Sequence, residues 1–149
     1  MKGSAKMFGP SEKKSQESHE IIKRAFGQRV ENPAPYKVVY GYFVKTGILT
    51  KKVSNYAIGF SEARKEIIVV PISSDGDEVG DAVILKKDDI VSAKFGMQGD
   101  LKIKANTLES DLRFTVPPFT SSMTAGAYIM VIDQKEEESA FRNFIKSTF

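Results

Sequence analysis

Apolar and polar positions alternate through three successive runs between Val91 and Val116. Val91, Ala93, Phe95 and Met97 oppose Ser92, Lys94 and Gly96. Leu101, Ile103 and Ala105 oppose Lys102, Lys104 and Asn106, and Leu112, Phe114 and Val116 oppose Arg113 and Thr115. A period of two marks half-buried antiparallel strands. Turn residues part the runs at Gln98-Gly99-Asp100 and Glu109-Ser110-Asp111. The spacing predicts a β-meander with one apolar face, which another layer must cover.

Upstream, Tyr36–Lys45 is aromatic and β-branched and has strand length, with apolar residues on both faces. A second strand is clearest over Val53–Phe60, and Glu66–Ser73 reads as a buried strand whose Pro71 marks an edge or bulge. Ser74–Glu78 is an acidic hairpin loop that lacks the spacing of a calcium loop. Ala82–Leu85 is a short strand and Tyr128–Ile132 a last one, after a polar, flexible run from Phe119 to Tyr128. Asp133 and Glu136 have the spacing of a capping box. Beyond them Ala140, Phe141, Phe144, Ile145 and Phe149 form one stripe of an amphipathic C-terminal helix. Near the other end, Ile22, Phe26 and Val30 predict a helix over about 15–29, stopped by Asn32-Pro33-Ala34-Pro35. That stripe is narrow, so the helix needs a surface to dock on: its own sheet, a second copy or a membrane.

The chain of 149 residues carries a net charge of +3. Residues 1–35 hold seven Lys or Arg against four Glu, which is the entire surplus. A neutral body argues against a dedicated nucleic-acid binder, although Tyr36, Tyr40 and Tyr42 on one strand face are residues that can stack bases. The chain has no Cys, which removes disulfides, thiolate metal sites and a Cys nucleophile and fits a cytoplasmic protein. No long apolar run, secretory h-region or N-myristoylation pattern is present. The division expected is a disordered basic tail over 1–14, an amphipathic helix with a Pro-containing linker over 15–35, and a β-rich domain over 36–149.

The strand series, the run Ile84-Leu85-Lys86-Lys87-Asp88-Asp89-Ile90 entering a strand, the meander through Phe114, and Phe141 with Phe144-Ile145 in the last helix resemble the pleckstrin-homology-like superfold. The bacterial PH-like and GRAM-like domains are the nearest pattern, over about 36–149. The resemblance implies a mainly β, α+β fold: bent antiparallel sheets or a partly open barrel of about seven or eight strands, capped by the C-terminal helix. It also implies a non-enzymatic binding or scaffold module, acting in protein–protein interaction or self-association. The alternative is a peripheral membrane module held to anionic lipid by the basic N-terminal segment. Two features depart from the pattern: the extra segment at 128–132, and a last helix without Trp.

Three groups of residues are candidate contacts. Lys94, Lys102, Lys104 and Arg113 form a candidate anionic-ligand patch on the polar face of the meander. Lys45, Lys51 and Lys52 lie around the first hairpin, where lipid-binding members of the superfold carry basic residues; the final Arg of their usual signature is replaced by Val53-Ser54. Phe119, Met123, Tyr128, Ile22 and Phe26 are candidate partner contacts. His19, the only histidine, has no companion for catalysis or metal binding. No phosphate-loop, dinucleotide or nucleophile-elbow motif occurs, so no catalytic residue, metal, cofactor or small-molecule substrate is expected.

Overall fold

The computed structural model describes residues 12–121 and 129–149. Its elements are α1 (Glu12–Arg29), β1 (Lys37–Thr46), β2 (Lys51–Ser61), β3 (Glu66–Ile72), β4 (Val83–Lys86), a 3-10 turn (Lys87–Asp89), β5 (Ile90–Phe95), β6 (Leu101–Ala105), β7 (Leu112–Phe114), β8 (Phe119–Thr120), β9 (Ile132–Asp133) and α2 (Lys135–Thr148). The strands form three antiparallel sheets, β1-β2-β3-β4, β5-β6-β7 and β8-β9. The first two sheets meet at one bridge, in which Tyr42 N–H donates to Thr115 O over 2.9 Å and Thr115 N–H returns to Tyr42 O over 2.7 Å. The fold is therefore α+β and mainly β, as the periodicities predict. Among the described residues no barrel closes: β4 and β5, consecutive in sequence, do not pair.

The β1–β3 layer is buried on both faces. Its inner face gives Val39, Ile58, Phe60, Ile67 and Val69 to a core shared with Leu101, Ile103 and Phe114 of the second sheet. The α2 stripe closes this core, with the Phe60 ring 5.3 Å from Phe141 and 5.2 Å from Phe144. The outer face gives Tyr40, Ala57, Ile68, Val70 and Ile72 to a second core under α1. This is why Tyr36–Lys45 and Glu66–Ser73 read as apolar on both faces.

The helix docks on its own domain because β2 makes room for it. A Cβ built on Gly59 would stand 2.1 Å from Phe26 Cζ, so the Phe26 ring lies directly on the strand backbone. Ile22 and Phe26, expected as partner contacts, are instead completely buried in this second core. Burying two such side chains stabilises the docking by about 1.5–3 kcal/mol each. The helix also reaches further back than the pattern suggests, since Glu12–Lys14 are helical rather than part of a disordered tail; residues 1–11 lie outside the described residues. At its other end Arg29 clamps the β3–β4 loop, donating to Gly80 O over 2.9 Å and Val79 O over 2.7 Å. Gly76, at φ 77°, lets the same loop approach Ile21.

Two terminal expectations change. The last strand is Ile132–Asp133 and α2 begins at Lys135, with Gln134 at the cap position; Asp133 Oδ1 accepts Lys135 N–H at 3.4 Å, but the cap falls one residue later than the spacing predicts, so Asp133 and Glu136 do not form a capping box. The reason is that Asp133 belongs to a strand: its N–H donates to the Ser15 hydroxyl oxygen over 2.9 Å and it pairs with Phe119.

Candidate functional site

The first hairpin projects beyond both cores. Val44 pairs with Val53, Lys45 with Lys52 and Thr46 with Lys51, and Gly47 N–H closes the turn on Thr50 O at 2.7 Å. From Lys45 to Lys52 every residue is exposed. At the tip Ile48 is 101% and Leu49 94% exposed. Lys45, Lys51 and Lys52 sit on the two rungs directly below, so two aliphatic side chains stand in front of three lysines, Lys45 and Lys52 on one face of the hairpin and Lys51 on the other. The lysines are legible in the sequence; the aliphatic pair is less so. Its signal is two adjacent aliphatics between Gly47 and Thr50, in a turn flanked by lysines on each side.

The meander brings Lys94, Lys102 and Arg113 into one cross-strand row, with Lys104 opposite Ser92 on the next. Like charges in register repel, and two carboxylates relieve them: Asp111 lies 3.5 Å from Lys102 and Asp100 3.4 Å from Arg113. All four cations are exposed. Among the described residues Lys94 in this row and Lys104 on the next have no such carboxylate, and Lys102 and Arg113 line a shallow pocket of about 300 Å³ that reaches Phe43 and Tyr56.

Phe119 lies in β8 rather than in a flexible run and is 42% exposed, with the Lys135 ammonium 5.2 Å above its ring. Met123 and Tyr128, expected beside it, lie outside the described residues. Tyr36 and Tyr40 are buried beneath α1, which closes the face proposed for base stacking and leaves only Tyr42 half-buried. Burial pushes the Tyr40 phenol far up, against the lowering effect of the hydrogen bond from Met130 N–H. Burial also raises Tyr36, reinforced by its hydrogen bond to the Glu66 carboxylate and opposed by Arg64.

A buried polar seam ties the C-terminal segment down. Gln134 is fully buried, and its amide stands in for a missing strand along β1. Gln134 Oε1 accepts Tyr40 N–H at 2.8 Å, while Nε2 donates to Tyr40 O at 2.9 Å and Pro117 O at 2.8 Å. Ser18 Oγ donates to Val131 O over 2.6 Å, and His19 Nε2 donates to Asp133 O over 2.7 Å. His19 is thus a fastener between α1 and β9. Among the described residues no group of His, Asp and Glu is placed to hold a metal ion, and no helix is long and apolar enough to cross a membrane. No protein-family profile, curated protein or solved structure matches the chain.

Proposed function

We propose that the chain is a non-enzymatic binding module of PH-like architecture that docks its first hairpin on an anionic lipid surface. The carrying observation is the fully exposed Ile48-Leu49 pair in front of Lys45, Lys51 and Lys52. Aliphatic side chains gain by leaving water for the acyl boundary, and each lysine near an anionic surface contributes about 1 kcal/mol. An antiparallel sheet of four strands followed by one of three, with a C-terminal helix on the inner core, supports the architectural part. The helix α1, first in line as a membrane anchor, has its apolar face committed to its own sheet, so the hairpin takes that role.

The test is co-sedimentation with phosphatidylcholine vesicles, with and without phosphatidylserine, at low and physiological ionic strength. The wild type binds the anionic vesicles. Ile48→Ser with Leu49→Ser lowers the partition coefficient by at least about tenfold, as loss of roughly 1.5–3 kcal/mol per side chain requires. Replacing all three lysines by alanine removes the dependence on phosphatidylserine. Equal binding by these variants and the wild type, or no binding by the wild type, refutes the assignment.

A further inference from the structure

The helix α1 covers the outer face of β1, β2 and β3 but stops short of β4. Between the end of α1 and β4 lies a groove of about 650 Å³. Its floor is Ile68, Ala82 and Ile84, and its rim carries Arg29, Arg64 and Lys86. Ile84 is 51% exposed, an aliphatic side chain left open in the middle of a regular strand. The groove holds two acids: Glu66 is nearly buried and accepts the Tyr36 hydroxyl, and Glu31 is exposed at the rim. The three cations therefore outnumber the one carboxylate that faces solvent.

Beside the groove, β4 is the outermost strand of its sheet, and among the described residues no strand pairs with its far edge. An unpaired edge with an apolar floor on one face and charge on the rim is the geometry for adding a strand: main-chain hydrogen bonds supply affinity and alternate side chains supply specificity. We infer that this edge accepts an extended segment of a partner protein in which an aliphatic and an acidic residue stand two positions apart, on one face of the added strand. Ile84 and Lys86 are themselves two apart on the exposed face, so the aliphatic residue lies beside Ile84 and the acid on the same face meets Lys86 and Arg64. A second copy of the chain fits worse, because β4 itself carries a lysine and no carboxylate to answer Arg64 and Lys86. The four residues of β4 offer about 13 Å of edge, enough for a short strand. The site lies about 30 Å along β1 from the hairpin tip, measured by the register of Lys37 and Thr46, so both surfaces can be occupied at once.

The experiment uses the full chain and a fluorescent heptapeptide with valine and glutamate two positions apart among threonines, with two controls: a lysine-valine counterpart with lysine in place of glutamate, and an N-methylated version that cannot pair with a strand. Binding is read by anisotropy and its location by amide hydrogen exchange. The expected result is binding that slows exchange in β4 and not in β7. It weakens by at least about tenfold with either control, with Ile84→Asp, and with Lys86→Glu plus Arg64→Glu, since each removes one required contact class. Ile84, Lys86 and Arg64 are exposed, so unchanged melting of the variants is the check on folding. Absent binding, equal affinity for the lysine-valine peptide, protection away from β4, or a dimer abolished by Ile84→Asp overturns the inference.

Discussion

Gln134→Leu is the substitution whose cost follows most directly from the geometry. The side chains are close in volume, so the change removes hydrogen bonds without opening a large cavity. It strands the Tyr40 N–H, the Tyr40 carbonyl and the Pro117 carbonyl, all three of which the buried Gln134 amide now satisfies. An unsatisfied buried group costs about 1–3 kcal/mol. Three give an upper range of roughly 3–9 kcal/mol, and local relaxation and water entry bring single substitutions toward the lower end, about 3–4 kcal/mol. For a domain of this size that lowers the melting temperature by about 6–15 °C. Urea and thermal unfolding followed by circular dichroism measure it. Gln134→Glu sharpens the test. A carboxylate still accepts Tyr40 N–H but turns lone pairs on two carbonyls, whereas the protonated acid donates to one of them. Its folded-state pKa therefore rises above the ordinary glutamate value of about 4.3. The folded state then binds the proton more tightly, so relative to wild type this variant is most stable below that value and loses stability as pH rises toward the folded pKa. Wild-type stability in Gln134→Leu, or a Glu variant whose stability tracks wild type across that window, would refute the reasoning.

Three further outcomes follow from the two cores. Gly59→Ala drives a methyl into the Phe26 ring and destabilises by about 1–3 kcal/mol in urea; Phe26→Leu in the same chain recovers part of that, and additive effects would place the conflict elsewhere. Tyr40, held neutral by burial, does not ionise in the folded state as pH passes 10; its folded pKa is raised, so stability falls above the unfolded value of about 10, and ultraviolet difference titration should show its transition only on unfolding. Deleting residues 1–35 uncovers Tyr40, Ala57 and Val70 and cuts the Ser15, Ser18 and His19 fasteners, so the remainder binds a hydrophobic dye and loses cooperative melting; a sharp native transition would mean that α1 is dispensable.

The strands were legible because their alternation reports burial directly: Lys102 and Lys104 point out, Leu101 and Ile103 point in. The docking of α1 was half legible. Ile22 and Phe26 announced an apolar stripe, and the small outward residues Ala57 and Gly59 of β2 held the complementary signal, a strand face cleared for a helix. The cap at Asp133 was misread because capping residues are also good loop and strand-end residues, and the deciding partner, Ser15, is 118 positions away. The role of Gln134 was illegible for the same reason, since nothing local marks an amide that completes a strand 94 residues distant. The exposure of Ile48 and Leu49 is not legible in the sequence because two aliphatics in a turn have no period, and composition reads them as core.

The hairpin assignment is tested most directly by a probe at its tip. The chain has no Cys, so Thr50→Cys gives a single labelling site that leaves Ile48 and Leu49 in place. A polarity-sensitive dye there is followed while phosphatidylserine-containing vesicles are added at physiological ionic strength, with a second label at Met97→Cys on the distant β5–β6 turn. Docking through the hairpin predicts a blue shift at position 50 and none at position 97. No shift at position 50, or equal shifts at both, contradicts it.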